Sequence, residues 1–439
     1  MTTVRYAPSP TGRLHLGNAR PALLNWLFAL KTAGSYVLRL DDTDRARSTE
    51  EFARGIEDDL AWLGVTPALK VRQSDRTALY DAARDRLIAA GRLYPAYETE
   101  EELEIRRGRA RLLGKPPIYD RAALALTEQQ RAELELIGRK PHWRFKLDGR
   151  PVEFNDLIKG PQTVNTASMS DPVLIREDGT YLYTLPSVVD DIDLKITHVI
   201  RGEDHVSNTG TQIEIFEALG GKVPEFAHHN LLTGAEGEGL SKRIGSLSLS
   251  ELRADGFEAI AVATVAVLTG TSLPVEPYAD LRSMADKLDL SMISHGSARY
   301  DPAELESLNA RLLHEMPYDV ARARLPRVVG AAAWNILRAN LRKFSDIEPW
   351  AEVLAGQAAH IIPPEDRAFL TDALELLPPE PWDETTWGQW TGALKEKSGR
   401  KGRALFHPLR LALTGREDGP DFKSLLPLLG RKVCRDRLS

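Results

Sequence analysis

Between residues 4 and 40 the chain runs through a strand, a loop, a helix and a second strand. Apolar residues over 4–7 predict a short buried strand, and the proline- and glycine-containing stretch 8–12 ends it in a loop. Apolar residues at helical spacing over 19–32 predict a helix, and 36–40 predicts the next strand. Because consecutive strands joined through a helix pair in parallel, this unit predicts an α/β fold built on a parallel sheet.

The rest of the chain is predicted to add elements to this sheet, to carry an insertion between them, and to end in a helical region. The segment from 93 to 188 combines a charged helix, proline-containing loops and short strands, and predicts an inserted α+β segment. Patterns after 247 are almost wholly helical and predict an all-α region. The elements assigned to the sheet on either side of the insertion are helices at 49–63 and 75–91, a strand at 196–200 and a helix at 209–219.

Composition narrows the possible classes of protein. Lys and Arg number 57 against 63 Asp and Glu, a net charge of −6, and 42% of residues are hydrophobic, which excludes disorder, collagen and coiled coil. Cys434 is the single cysteine, so no disulfide can form within the chain and we expect a reducing, cytoplasmic compartment. The N-terminus lacks a basic segment before an apolar run, and the longest apolar run, 259–268, contains Thr264. We therefore expect neither a signal peptide nor a membrane span.

Two features place ligand chemistry at the predicted sheet edge. His15 and Gly17 stand at the start of the first helix, where backbone N–H groups, the helix dipole and an imidazole share a direction that suits a polyphosphate. The acidic string 41–44 follows the second strand, at the edge where parallel sheets bind ligands. Taken alone, a histidine at a helix start is more often a capping or packing residue.

Two basic segments lie outside the predicted sheet. In the glycine-containing loop 233–246, Lys242 and Arg243 could close over developing phosphate charge, although such loops are common on protein surfaces. Residues 391–439 hold twelve Lys or Arg against five Asp or Glu. That excess suggests a polyanionic partner, and a solvated basic helical face explains it equally well on charge alone.

Five stretches resemble one family in order along the chain. They are RYAPSPTGRLHLGN at 5–18, LRLDDTDRARST at 38–49, THVIRGEDHVSNT at 197–209, GLSKR at 239–243 and GRKGRALFHPLRLALTG at 399–415. The first and fourth resemble the HIGH and KMSKS signatures of class I aminoacyl-tRNA synthetases, and the surrounding residues resemble glutamyl-tRNA synthetase. The resemblance implies a Rossmann-type parallel-sheet catalytic domain with an α+β insertion, followed by all-α domains. The implied boundaries are 1–92 and 189–235 for the two halves of the catalytic domain, 93–188 for an inserted acceptor-binding domain, 236–300 for a linking helical domain with the KMSKS-like loop, and 301–439 for a helical anticodon-binding domain.

The resemblance implies a ligase that activates L-glutamate with ATP to glutamyl-adenylate. Glutamate then passes to the 3′-terminal adenosine of tRNA-Glu, through the 2′ hydroxyl in class I enzymes, and tRNA-Gln is left open as a second acceptor. Attack of the α-carboxylate on the α-phosphorus needs no protein nucleophile, and Mg²⁺ accompanies ATP. The family is usually monomeric.

The resemblance also implies residue roles. His15 would contact the ATP phosphates and Lys242 would stabilise the transition state. The implied ATP-binding residues are Pro8, Ser9, Thr11, Gly12, His15, Gly17, Asn18, Asp204, Leu232, Ser241, Lys242 and Arg243. Those for glutamate are Arg5, Ala7, Ser9, Asp41, Tyr183 and Arg201, with Arg5 at the side-chain carboxylate and Ser9 and Asp41 at the amino group. Those for tRNA are Lys401, Arg403 and Arg410. Without the family, Arg5 and Arg201 could equally be ion-paired to neighbouring acids, and Tyr183 could be a core residue.

The chain departs from the family pattern in four places. One is Asn18, which replaces the usual last letter of the first signature at a position that varies in the family. Many bacterial relatives hold zinc in the insertion through cysteines near two tyrosines, whereas the matching stretches here, 94–99 and 119–123, contain none. We therefore predict no zinc. Asp41 stands where Glu is more common, and the shorter carboxylate can still accept from an amino group, directly or through water. Ser187 occupies a position near the pocket that varies in the family.

Three alternative interpretations of the function fit the sequence less well. Glutaminyl enzymes typically carry PPEPNG and DDTN where this chain has APSPTG and DDTD. A truncated paralogue that glutamylates a modified tRNA base lacks the residues that follow position 300 here. A synthetase-like protein that has lost catalysis and only binds tRNA or a partner would be expected to have lost His15, Gly17 or Lys242, and all three are present.

Overall fold

The structure is a computed structural model that describes residues 1–234, 237 and 248–439. The chain forms two compact units, Met1–Glu251 with Val262–Asp301, and Leu252–Ala261 with Pro302–Ser439. Among the residues described, no helix has the length and apolar character needed to cross a bilayer. The domain boundaries inferred from the sequence stay predictions.

The first unit is built around parallel strands. In chain order the strands are β1 Thr3–Tyr6, β2 Ser35–Leu40, β3 Leu69–Arg72, β4 Leu93–Ala96, β5 His142–Phe145, β6 Pro151–Asp156, β7 Gly160–Asn165, β8 Val173–Ile175, β9 His198–Gly202, β10 Glu225–His229, β11 Leu232–Thr233 and β12 Ala298–Arg299. Strands β1, β2 and β3 pair in parallel, as do β9, β10 and β6, while β7 is antiparallel to β6. The Thr197 N–H donates to the Thr3 carbonyl at 2.9 Å, which joins β9 to β1.

Helices flank these strands and make up the second unit. They are α1 Leu16–Lys31, α2 Glu50–Trp62, α3 Thr77–Ala89, α4 Glu100–Leu112, α5 Glu128–Leu136, α6 Thr184–Asp193, α7 Val206–Ala218, α8 Leu249–Ala254, α9 Ala259–Leu268, α10 Leu281–Lys287, α11 Pro302–Glu315, α12 Tyr318–Ala321, α13 Ala331–Leu337, α14 Ile347–Leu354, α15 Arg367–Glu375, α16 Thr386–Ser398, α17 Arg403–Thr414 and α18 Phe422–Leu438. The parallel α/β sheet followed by helices confirms the predicted fold class.

Helix α1 is held in place by a polar contact as well as by its apolar face. Leu23, Leu24 and Leu27 are buried, as the helical spacing of apolar residues predicts. The Asn25 amide donates to the Ile200 carbonyl of β9 at 2.9 Å. This contact sets the position of the helix that carries the HLGN motif.

The segment predicted as an insertion contributes to two different sheets. Strands β4, β5 and β8 form a separate antiparallel sheet. Helices α4 and α5 lie between β4 and β5 in the chain. Strands β6 and β7 instead belong to the sheet of β9 and β10, where Asp156 pairs with Phe226. The sequence patterns did not distinguish these two groups of strands, and the second brings Asp156 close to the ligand-binding edge.

The second unit has a hydrophobic core of its own. Trp334 and Trp390 are among its largest fully buried side chains, and Cys434 is buried in the same core. Burial raises the pKa of the Cys434 thiol to about 12. Helix α18 bends at Gly430, whose φ of 72° favours glycine.

Candidate active site

A cavity of about 690 Å³ opens where β1, β2, β9 and β10 end and α1 begins. This is the edge at which parallel α/β sheets bind ligands. Every residue predicted to bind ATP or glutamate that the structure describes lines it, namely Arg5, Ala7, Pro8, Ser9, Thr11, Gly12, His15, Gly17, Asn18, Asp41, Tyr183, Arg201, Asp204 and Leu232. The lining residues that sequence reasoning did not name are Tyr6, Arg13, Leu14, Arg20, Pro21, Ile200, Gly202, His205, His229 and Leu231. Ser241, Lys242 and Arg243 lie outside the described residues, and the individual roles stay predictions.

His15 caps the N-terminus of α1 and points a donor toward the cavity. Its Nδ1 accepts the Gly17 N–H at 3.1 Å, and the Asn18 side chain accepts the His15 N–H at 3.3 Å. Because Nδ1 is the acceptor, the neutral ring carries its proton on Nε2, and burial lowers the pKa of His15 so that the neutral form is favoured. The capping role and the phosphate-binding role are therefore compatible in one side chain.

A buried charge network lies beneath the predicted glutamate pocket. Arg39, on β2, donates to both carboxylate oxygens of Asp41, at 2.7 and 3.1 Å, and to Asp191 at 2.8 Å. The Arg5 Nε donates to the same Asp191 oxygen at 3.2 Å. Ser187 accepts from Arg39 at 3.2 Å through its hydroxyl, so this residue supports the network rather than lining the cavity.

Asp41 is a carboxylate whose protonation is sensitive to its surroundings. Burial raises its pKa to about 6, against the opposing influence of the Arg39 guanidinium. Each of its oxygens accepts one bond from Arg39 and keeps a further lone pair, so the carboxylate can still accept from an ammonium group in the cavity.

Arg201 is a buried cation held by neutral groups. Its guanidinium is bonded to His228 at 3.1 Å, Thr209 at 2.7 Å, the Tyr183 hydroxyl at 3.4 Å and the His205 carbonyl at 3.4 Å. Among the residues that the structure describes, no carboxylate lies within ion-pair distance of it, and burial lowers its pKa. A buried charge is stable only when paired, so this guanidinium favours an anionic ligand in the cavity. The sequence alternative of an ion pair to a neighbouring acid therefore applies to Arg5, which pairs with Asp191, but not to Arg201.

The two stretches from which the sequence predicts no zinc site, 94–99 and 119–123, contribute to a small apolar cluster. Tyr94, Ala96 and Ala123 pack together beside Tyr119. The Tyr119 hydroxyl donates to Glu98 at 2.8 Å. Across the described part of the chain no three His, Cys, Asp or Glu side chains form a possible metal site. These donors do not suit zinc, and the absence of zinc stays a prediction.

The predicted tRNA-binding residues lie around the start and middle of α17. Lys401 and Arg403 are exposed. Arg410 stacks over the Phe422 ring at 4.7 Å and donates to the Pro420 carbonyl at 2.9 Å, while its Nη1 is buried without a partner among the described residues. A second cavity of about 500 Å³ is lined by Arg403, Phe406, His407, Arg410, Glu417 and Asp418.

Comparison with known proteins agrees with this geometry. Residues 1–306 match the family model described as tRNA synthetases class I (E and Q), catalytic domain, and residues 309–439 match an anticodon binding domain. Glutamate–tRNA ligase 2 of Methylobacterium sp. (strain 4-46) is 60% identical to the chain over 99% of its length and 98% of the relative. The chain belongs to the glutamate–tRNA ligase family. Glutamate–tRNA ligase 1 of Chelativorans sp. (strain BNC1), at 58% identity over 98% of each protein, is another relative.

Solved structures of the glutamate–tRNA ligase family share the fold. A glutamate tRNA ligase from Elizabethkingia meningosepticum, crystallised in complex with its amino acid, superposes with a TM-score of 0.84 at 26% identity and covers 100% of this chain and 98% of its own. The enzyme from Elizabethkingia anophelis gives 0.83 at the same identity. The match to an anticodon binding domain over residues 309–439 excludes the interpretation of the chain as the truncated paralogue, which lacks this region.

Proposed function

We propose that this chain activates L-glutamate with ATP and transfers it to the 3′-terminal adenosine of tRNA-Glu. One observation carries the proposal: a single cavity combines the N-terminus of α1, which suits phosphates, with the unpaired guanidinium of Arg201, which suits a carboxylate. The high identity to glutamate–tRNA ligases over the full chain supports the same conclusion.

Binding of glutamate follows from the charges around the cavity. Arg201, with Tyr183 beside it, would bind one carboxylate of glutamate. Arg5 would bind the other through its terminal nitrogens, because among the described residues only its Nε is bonded to Asp191. Asp41 would accept from the amino group together with Ser9, which lines the same wall. A guanidinium fork binds a carboxylate through two charge-assisted bonds that the neutral amide of glutamine cannot reproduce.

ATP would lie across the start of α1 with its phosphates toward the helix. The Nε2–H of His15 and the N–H groups of the first turn would donate to phosphate oxygens, and Asp204 and the backbone near Leu232 would contact the nucleoside. The α-carboxylate of glutamate attacks the α-phosphorus, a P–O bond forms, and the bond to pyrophosphate breaks. Mg²⁺ bound with ATP supplies neutralising charge for the leaving pyrophosphate. Lys242, outside the described residues, is proposed to stabilise charge at the transition state.

Transfer to tRNA requires a surface that binds the polyanion. Lys401, Arg403 and Arg410 are proposed to face tRNA, and the exposed ring of Phe406 beside them, 44% accessible, is suited to stacking on a base. We further propose that the enzyme is a cytoplasmic monomer that uses ATP with Mg²⁺ and no zinc.

The test is charging of purified tRNA-Glu and tRNA-Gln, separately, with labelled glutamate and with labelled glutamine in the presence of ATP and Mg²⁺. We expect labelled glutamate on tRNA-Glu. Glutamate on both acceptors would mean that a downstream amidotransferase must correct tRNA-Gln. Labelled glutamine on either tRNA, or no charging at all, would contradict the proposal.

A further inference from the structure

Arg201 is bonded to a histidine that the proposed chemistry does not use. The Arg201 Nε donates to the His228 Nε2 at 3.1 Å. His228 is fully buried and does not line the active-site cavity, so it cannot touch a ligand there. Any effect of His228 on a ligand is therefore transmitted through Arg201.

The other ring nitrogen of His228 faces a buried carboxylate. Nδ1 lies 2.5 Å from Asp156 Oδ2, and Asp156 also accepts the backbone N–H groups of His228, Ile158 and Lys159. Burial alone would raise the pKa of Asp156, but these hydrogen bonds lower it, so the carboxylate stays ionised. An ionised carboxylate only accepts; Nδ1 must therefore carry the ring proton, and Nε2 is left as the acceptor for Arg201.

Strand pairing places the three side chains in line. Asp156 ends β6, His228 lies on β10 and Arg201 lies on β9, and these strands are adjacent and parallel. His228 and Arg201 are direct partners in the register of β10 and β9. The sheet itself therefore sets the spacing of the carboxylate, the imidazole and the guanidinium.

We propose that Asp156 and His228 form a positioning pair that holds the Arg201 guanidinium in the orientation that binds a carboxylate of glutamate. The inference rests on the proposed function and adds two positioning residues to it. With Nε fixed by His228 and one terminal nitrogen by Thr209 at 2.7 Å, rotation of the guanidinium plane is prevented. A His228 tautomer with its proton on Nε2 would set two N–H groups against each other and turn the guanidinium away.

Two substitutions of His228 separate positioning from packing. In His228→Gln the side-chain amide reaches the place of Nε2 and can accept from Arg201, whereas in His228→Asn it reaches only the place of Nδ1. We expect His228→Asn to raise the KM for glutamate by about tenfold or more, with the KM for ATP within about twofold of wild type. His228→Gln should return the KM for glutamate to within about threefold of wild type.

Asp156→Asn tests the tautomer without a change of shape. The amide oxygen can keep the backbone donors while the amide N–H₂ faces Nδ1, which forces the ring proton onto Nε2. We expect the same selective rise in the KM for glutamate as in His228→Asn, and this variant also replaces His228→Asn should that variant fail to fold by circular dichroism.

A matched control exists elsewhere in the chain. The Arg144 Nε donates to the His142 Nε2 at 3.1 Å, the same type of bond, and neither residue lines the active-site cavity. His142→Asn should leave both KM values unchanged. The proposal is overturned if His228→Asn and His228→Gln behave alike, if the KM for ATP rises as much as that for glutamate, or if His142→Asn reproduces the effect. Failure of wild-type protein to charge tRNA would instead overturn the proposed function, and equilibrium dialysis of labelled glutamate against the same variants would still test the positioning pair.

Discussion

At the scale of single residues, the charge on Asp41 connects pH to glutamate binding. Its pKa is raised to about 6 by burial, and only the ionised form offers a negative charge to the ammonium group of glutamate. We expect kcat/KM for glutamate to fall about tenfold per pH unit below about pH 6, since the protonated fraction grows in that proportion. The side-chain carboxyl of glutamate has a pKa of about 4.3, so its protonation does not explain a decline that begins at about pH 6.

The measurement is kcat/KM for glutamate between about pH 5 and pH 8, at saturating ATP and tRNA. Asp41→Asn should have a low kcat/KM with no decline across that interval. A wild-type profile that stays level down to about pH 5 would remove Asp41 from the amino-group site.

Lys242 carries the second prediction at this scale. Lys242→Ala removes a cation that would stabilise charge only in the transition state, so we expect kcat to fall by about 10²–10³ while tRNA affinity stays nearly constant. Steady-state charging and filter binding measure the two quantities. Lys222→Ala, at an exposed position before β10, is the control. A near-normal rate in Lys242→Ala would contradict the role proposed for that loop.

Sequence reasoning at this scale found many of the residues that line the cavity, but it did not find Asp156 and His228 behind them. Arg5, Asp41 and Arg201 stand in strings that resemble a known family, and all three line one cavity. His228 and Asp156 do not line it, and they meet Arg201 only because distant strands pair. No local pattern carries that information.

At the scale of elements, Arg20 of α1 caps the C-terminus of α9. Its guanidinium donates to the carbonyls of Ala266 and Thr269, at 2.8 Å each, and is almost fully buried. The last carbonyls of a helix lack partners within the helix and carry the negative end of its dipole, so a cation there is favourable. Burial nonetheless lowers the pKa of Arg20 to about 10.

We expect Arg20→Leu to lower the free energy of unfolding by about 2–4 kcal/mol, because buried carbonyls would lose their donors. Urea denaturation followed by circular dichroism measures the change. Arg54→Leu, which removes an exposed arginine that pairs with Glu50 on α2, should change it by less than about 0.5 kcal/mol. Equal effects of the two substitutions would show that the bonds of Arg20 do not stabilise the fold.

Elements with strong local signals were predicted well, and those defined by distant pairing were not. The predicted helix at 49–63 is observed as Glu50–Trp62, and the predicted strand at 36–40 as Ser35–Leu40. The hairpin of β6 and β7 was not identified, because none of the residues of β7 is fully buried and the partner of β6, β10, comes much later in the chain.

At the scale of the whole molecule, a chain of net charge −6 is proposed to bind a polyanion through a local basic surface. Association should therefore weaken as the salt concentration rises, because the release of counterions from tRNA becomes less favourable. The expected slope of log K against log salt concentration is about −0.7 to −0.9 for each phosphate contacted. We expect Lys401→Ala and Arg403→Ala each to reduce that slope by about 1, measured by filter binding across salt concentrations. Lys222→Ala, exposed and outside the segment 391–439, is the control, and an unchanged slope in the first two variants would place tRNA elsewhere.

Metal dependence is a second property of the whole chain. Incubation with EDTA followed by excess Mg²⁺ should restore full charging activity, because the stretches 94–99 and 119–123 contain no cysteine that could bind zinc. Elemental analysis of the purified protein should show far less than one zinc per chain. A requirement for added zinc would contradict the prediction.

Because the thiol of Cys434 is buried, the protein is suited to site-specific labelling at introduced cysteines. It is the single cysteine of the chain, and its raised pKa keeps it protonated and slow to react with maleimides. A cysteine placed at any exposed position would thus be the one site that takes a fluorophore. Pairs of dyes on enzyme and tRNA could then report docking in real time without prior removal of native cysteines.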